Sequence, residues 1–277
     1  MHPVRPPAVA GSFYPLQGQV LSSQVKALLT AAAPPPASGA LANTRAASPK
    51  ALIVPHAGYI YSGATAAQAY VHLSALRRTI KRVILLGPVH RVPVRGLALP
   101  GVDYFATPLG QIEVDQLAVA ALTALPQVVV SPPAHALEHS LEVQLPFLQS
   151  VLDDFKLLPL AVGDATPAEV AQVLDVLWGG PETLIVVSSD LSHFLPYRAA
   201  QAIDQATVQS ILALDATLTH HQACGGTPIN GLLLAARQHQ LHARLLGLCN
   251  SGDSAGDKGR VVGYASLAFT QGPHDGH

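Results

Sequence analysis

Charge is scarce in this chain. Asp, Glu, Lys and Arg make up 12% of its 277 residues, against about a quarter in an ordinary soluble domain. The 16 basic residues are scattered and offset by 17 acidic ones, for a formal net charge of −1. Nucleic-acid binding requires Lys and Arg clustered on one face, so no nucleic-acid partner is expected. Long apolar runs are missing too. Leu157–Val162 and Leu184–Val187 are strand-length, far short of the ~20 residues of a spanning helix. The amino terminus runs from Met1-His2-Pro3-Val4-Arg5 into Pro6-Pro7 and lacks the apolar core of a signal peptide. These absences point to a cytoplasmic protein with no membrane partner. Cysteine is limited to Cys224 and Cys249, too few for a disulfide framework. Ser188 and Ser189 sit in no Gly-x-Ser-x-Gly elbow, which argues against a serine hydrolase.

What remains is 49% hydrophobic and alternates between strand and helix patterns. Strands are expected near 51–55, 82–87, 96–100, 127–131, 156–162, 183–189, 243–249 and 260–269. Helices are expected near 19–31, 63–76, 115–125, 137–152, 167–178, 197–213 and 228–240. Thr166-Pro167-Ala168-Glu169 marks one helix start well, with an N-cap, a first-turn proline and an acid. Such alternation predicts an α/β fold, a mostly parallel twisted sheet with helices on both faces. No repeat or linker divides the chain, so residues 1–277 are read as a single domain. Residues 32–50, rich in Pro, Ala and Ser, are expected to form a flexible loop, and residues 271–277 a disordered tail.

Chemistry-bearing residues gather where apolar strands end. Pro55-His56-Ala57-Gly58-Tyr59 follows Leu52-Ile53-Val54, and Gly87-Pro88-Val89-His90 follows Val83-Ile84-Leu85-Leu86. Ser188-Ser189-Asp190-Leu191-Ser192-His193 follows Leu184-Ile185-Val186-Val187. Ligands of open α/β sheets bind outside the carboxyl ends of the strands, so three strand-end histidines point to one site. Taken singly, His56 or His90 serves equally well as a cap on the next helix. Cys224-Gly225-Gly226-Thr227-Pro228 reads as a helix entry, with Thr227 as N-cap and Pro228 in the first position. There the helix dipole is expected to lower the Cys224 pKa and favour the thiolate that metals bind. The alternative is a buried inert thiol, which suits Cys249 better. Asp190 and His193 have the spacing of a carboxylate orienting an acid–base imidazole. His135-Ala136-Leu137-Glu138-His139 matches the His-x-x-Glu-His pattern of inverted zinc proteases, although Pro132-Pro133 threatens the helix it requires. Glu138, His139 and Glu142 are candidates to hydrogen-bond the site residues from behind or to contact substrate, and Tyr59 to shape the pocket. His220, His221, His239 and His242 are read as solvent-facing.

In order along the chain, these motifs resemble the Memo family, its bacterial and archaeal branch included. The resemblance runs from Ala8-Val9-Ala10-Gly11-Ser12-Phe13-Tyr14-Pro15 to Gly263-Tyr264-Ala265-Ser266, through the segments at His56, His90, Glu138–Glu142, Ser188–His193 and Cys224–Ile229. Phe13 and Val89 stand where that family often has Trp and Ser. The family is similar in fold to the class III extradiol dioxygenases of the LigB type, which hold Fe(II) with two histidines and a carboxylate. The resemblance implies that His56, His90 and Cys224 take the metal positions, with Asp190 and His193 alongside. Fe(II) is the expected metal, and because a thiolate replaces the carboxylate, Zn or Cu also suits the site. A non-haem iron redox enzyme acting on a small molecule is the leading expectation. A non-catalytic protein that binds a metal or peptide and acts through partners is the second, and a zinc hydrolase the third.

Overall fold

The computed structural model describes residues 2–34, 48–254 and 256–272. Most of the expected loop, residues 35–47, and residues 273–277 of the expected tail lie outside them. In chain order the elements are β1 (Val4–Arg5), α1 (Gly18–Ala32), β2 (Pro49–Val54), α2 (Tyr59–Tyr70), β3 (Arg82–Pro88), β4 (Leu97–Leu99), β5 (Tyr104–Thr107), β6 (Gly110–Glu113), α3 (Gln116–Ala121), β7 (Val128–Val130) and α4 (Pro132–Ala136). They continue with α5 (Leu145–Val151), β8 (Lys156–Val162), α6 (Pro167–Leu177), β9 (Thr183–Ser188), β10 (His193–Leu195), α7 (Tyr197–Leu212), α8 (Gly226–Gln238), β11 (Leu241–Asn250), α9 (Ser251–Ser254) and β12 (Val261–Gln271). Among the described residues, no helix is long and apolar enough to cross a membrane.

One sheet carries the fold, in the order β10-β12-β2-β9-β3-β8-β4-β7, with β11 paired to β12. Its centre, β2-β9-β3-β8, is parallel throughout. The flanks are antiparallel, because β12 opposes β2 and β4 opposes β8. The sheet is therefore mixed, with the expected parallel pairing in the middle and again between β4 and β7 at one edge. No helix lies between β3 and β4, and a parallel return needs a long crossover. Along β2, Leu52 and Val54 enter one core layer while Ala51 and Ile53 enter the other. Along β3, Val83 and Leu85 oppose Ile84 and Leu86 in the same way, the two-residue period of a strand buried on both faces. Leu21 and Val25 of α1 and Ala66 and Tyr70 of α2 cover the first layer. Val170 and Leu174 of α6 and Ile229 and Leu233 of α8 cover the second.

Some expected elements are displaced. The span expected as one helix at 137–152 follows α4 and holds an irregular stretch, a 3-10 turn at Glu142–Gln144 and then α5. Pro146 has no N–H to give an unbroken helix, and it lies in the first turn of α5. Upstream, the Glu138 carboxylate accepts the His139 and Ser140 N–H groups at 2.9 Å, taking donors a helix would need. His135 is therefore in α4 and His139 beyond it, and they share no helix face. The helix expected from 63 begins at Tyr59. The start of α6 is as read, with a Thr166–Glu169 capping box.

Candidate metal centre

Three adjacent parallel strands deliver side chains at one edge. His56 lies two residues past the end of β2, His90 two past β3 and Asp190 two past β9. Val54 pairs with Ser188, and Leu86 with Val187, so the strand ends emerge nearly level. Cys224 arrives on the segment between α7 and α8, stitched to the end of β9. Its N–H donates to the Asp190 carbonyl at 3.2 Å, and the Gly225 N–H to Ser189 Oγ at 2.9 Å. A Cβ on Gly225 would lie 2.7 Å from the Ser189 Cβ, so only glycine permits this approach. Gly225, not Thr227, is the N-cap of α8, and Pro228 is its third residue.

The donor atoms of His56, His90 and Cys224 lie within 4.8 Å of one another, and so do those of His90, Glu138 and His139. His56 Nε2 and Cys224 Sγ are 3.4 Å apart. A tetrahedral metal with bonds of about 2.1 Å to nitrogen and 2.3 Å to sulfur holds those atoms roughly 3.6 Å apart. The first set therefore fits a metal ion, in spacing and in its mix of imidazole and thiol. His139 stands against the set, its ring centroid 5.3 Å from that of His56 and 4.6 Å from that of His90. Phe13 packs on its far side at 4.9 Å.

The histidines are held from behind. Glu138 Oε1 accepts from His90 Nδ1 at 2.9 Å and Oε2 accepts the His90 N–H at 2.6 Å. This leaves His90 Nε2 free, the carboxylate–histidine arrangement that orients metal ligands. His56 Nδ1 meets Ser188 Oγ at 3.0 Å. The expected Asp190–His193 pair does not form. Asp190 Oδ1 accepts the His56 N–H at 2.7 Å, and His193 Nδ1 donates to the Leu191 carbonyl at 2.8 Å. The turn between them points the carboxylate at β2 and the imidazole outward.

Burial dominates the electrostatics. It holds the His56 pKa well below the usual histidine value, reinforced by His139 and His90. Burial likewise brings His139 down to about 4. Burial works against ionising Glu138, yet hydrogen bonds from His90 and the Ser140 backbone outweigh it and hold that carboxyl at about 2. Asp190 is pushed up to about 7 by burial. Cys224 is pushed up to about 12, by burial first and then by Asp190. The expected dipole effect at Cys224 is thus overridden in the metal-free protein. A bound cation reverses this, because a coordinating thiol is deprotonated outright.

A cavity of about 630 Å³ opens beside His90 and Cys224. Val89, Pro93, Val94 and Val162 form its apolar wall, and His193, His220 and His221 an imidazole wall. His220 and His221, read from sequence as merely solvent-facing, therefore face this space. Other candidates turn inward. The Tyr59 hydroxyl donates to the Val143 carbonyl at 2.8 Å. Glu142 is fully buried and accepts from Arg5, Ala8, Val9 and Tyr14. His135 Nε2 donates to the Ala98 carbonyl at 2.8 Å, so the inverted-protease pattern assembles no site. Cys249 pairs with Thr65 Oγ1 at 2.9 Å, outside this centre.

Comparison with known proteins places the whole chain in one family. A family model described as Memo-like protein matches residues 5–268. A MEMO1 family protein of Metallosphaera sedula is 33% identical over 96% of this chain and 99% of its own. Those of Archaeoglobus fulgidus and Aquifex aeolicus are each 34% identical, again over 96% and 99%. With that reach and identity, the chain belongs to the Memo-like protein family.

Proposed function

We propose that this protein is a non-haem iron protein that performs redox chemistry on a small molecule held in the cavity beside Cys224. The observation that carries the reading is the convergence of two imidazoles and a thiol on one point, beside a cavity that His90 and Cys224 line. His56, His90 and Cys224 would hold the metal, and iron there would supply a redox couple and open coordination positions. His193 has its Nδ1–H committed to Leu191, so its Nε2 is free to take a proton from a ligand and return it. The apolar wall excludes water from a ligand's hydrocarbon body, and the imidazole wall offers hydrogen bonds to oxygen substituents. A phenol or similar oxygen-bearing ring matches that division. Metal analysis of protein purified without added metal tests the first half, with near-stoichiometric iron expected and its loss in His56→Ala and Cys224→Ala. Iron retained in both variants overturns the ligand set. Oxygen uptake by anaerobically iron-loaded protein over a panel of catechols and phenols tests the second half. No turnover with any of them favours a binding role over catalysis.

The three-donor set also favours a second reading, zinc with a water in the fourth tetrahedral position and hydrolysis as the reaction. The same metal analysis separates the two, since zinc in place of iron selects the hydrolase.

A further inference from the structure

We infer that a buried relay, Tyr70–Gln144–Ser188, sets the tautomer of His56 and so presents its Nε2 lone pair to the centre. The inference follows from counting donors and acceptors. Tyr70, Gln144 and Ser188 are fully buried, and His56 is 2% exposed. The Gln144 amide nitrogen lies 2.8 Å from the Pro55 carbonyl and 2.7 Å from Ser188 Oγ. A carbonyl only accepts, so the NH₂ group must face Pro55. The Gln144 oxygen then accepts from the Tyr70 hydroxyl at 2.9 Å. Ser188 has one proton, and it goes to the Ser140 carbonyl at 2.6 Å. One of its acceptor positions takes the Gln144 N–H. The other remains for His56 Nδ1 at 3.0 Å, which must therefore carry the ring proton. The opposite tautomer would set two lone pairs against each other unless Ser188 abandoned Ser140, leaving a buried carbonyl unsatisfied. With Nδ1 protonated, Nε2 is the acceptor, and it is the atom that faces Cys224 Sγ at 3.4 Å.

Tyr70, Gln144 and Ser188 are thus positioning residues, drawn from α2, the turn before α5 and the end of β9. None of them is among the residues that line the cavity. The inference gives the proposed metal site its orientation, but it is tested without metal. Long-range proton–nitrogen NMR on ¹⁵N-histidine-labelled, metal-free protein at pH 7.5 reads each ring nitrogen. A pyrrole-type Nδ1 and a pyridine-type Nε2 at His56 are expected in the wild type. A protonated Nε2, or an even mixture, overturns the inference with no variant needed. Ser188→Ala should mix the tautomers and weaken Co(II) binding about 10–100-fold. Ser188→Thr should restore both. A folded Ser188→Ala protein that keeps the wild-type tautomer shows that the relay does not set it. If wild type binds no Co(II) but shows Nδ1–H, the metal reading fails and the relay stands.

Discussion

Replacing Arg5 with Met is expected to destabilise the whole domain, although residue 5 lies in a two-residue strand near the amino terminus. Arg5 is 4% exposed and Glu142 wholly buried, with the guanidinium 2.5 Å from the carboxylate. Arg5 Nε donates to the His135 carbonyl at 2.8 Å and Nη2 to the Glu138 carbonyl at 2.6 Å. Met fills most of the volume but leaves a buried carboxylate without its cation. Breaking such a pair costs about 3–5 kcal/mol. The two stranded carbonyls would add to this, at roughly 1–3 kcal/mol for each unsatisfied group. Glu142 keeps donors from Ala8, Val9 and Tyr14, which offsets part of the loss, so about 3–5 kcal/mol is the expected total. At about 2–4 °C per kcal/mol for a domain of this size, Tm should fall by roughly 6–20 °C. Urea denaturation of metal-free protein, followed by far-UV circular dichroism, measures the change. The double variant Arg5→Met/Glu142→Gln should recover part of it, because no unpaired charge remains. A single variant within about 1 kcal/mol of wild type, with no recovery in the double, would refute a dry, obligatory pair.

Glu138→Gln should weaken metal binding about 10–100-fold through His90, measured by chelator competition; unchanged affinity would mean that His90 needs no orientation. His193→Ala should leave metal occupancy nearly intact while any activity falls about 10²–10⁴-fold, whereas complete metal loss would make His193 a ligand. Asp190→Asn should act through the His56 backbone, weakening metal binding in metal titrations, and a changed pH–rate profile with full occupancy would restore Asp190 to the base. Burial lowers the His135 pKa to about 4, so the unfolded chain binds a proton there that the folded chain refuses. Stability from this residue is full above about pH 6.5 and is lost as pH falls toward 4, by about 3 kcal/mol. Urea midpoints should accordingly drop less between pH 7 and 4.5 in His135→Gln than in wild type, and equal drops would contradict the shift.

The central strands were legible because burial on both faces demands unbroken apolar runs such as Leu52-Ile53-Val54. The hairpin β5–β6 was not, since its strands are four residues each and partly exposed. The break after α4 was illegible for another reason. It depends on the Glu138 side chain capturing N–H groups of its own loop and of His90, and that choice is tertiary. His56 and His90 could be paired by reading, because parallel strands share an exit edge, whereas Cys224, on the segment entering α8, joined them only through the family resemblance. The paths of Asp190 and His193 could not, since both lie in one turn whose direction is set by contacts with β2 and Leu191. His139, His220 and His221 sit on irregular segments, and no period in the chain announces which way these face.

The donors at the candidate centre are far apart in sequence, His56 and Cys224 being separated by 168 residues. No contiguous fragment short of most of the chain holds all three. On the proposed reading, the complete three-donor set therefore exists only once β2, β3 and the segment entering α8 have come together. An ion held as proposed would join the outward edge of β2 to the segment entering α8, and so would act as a cross-link between early and late parts of the polypeptide. Any species that binds only the closed form favours that form by mass action. Occupancy would thus report that segments 168 residues apart have met, a property of the fold more than of three side chains.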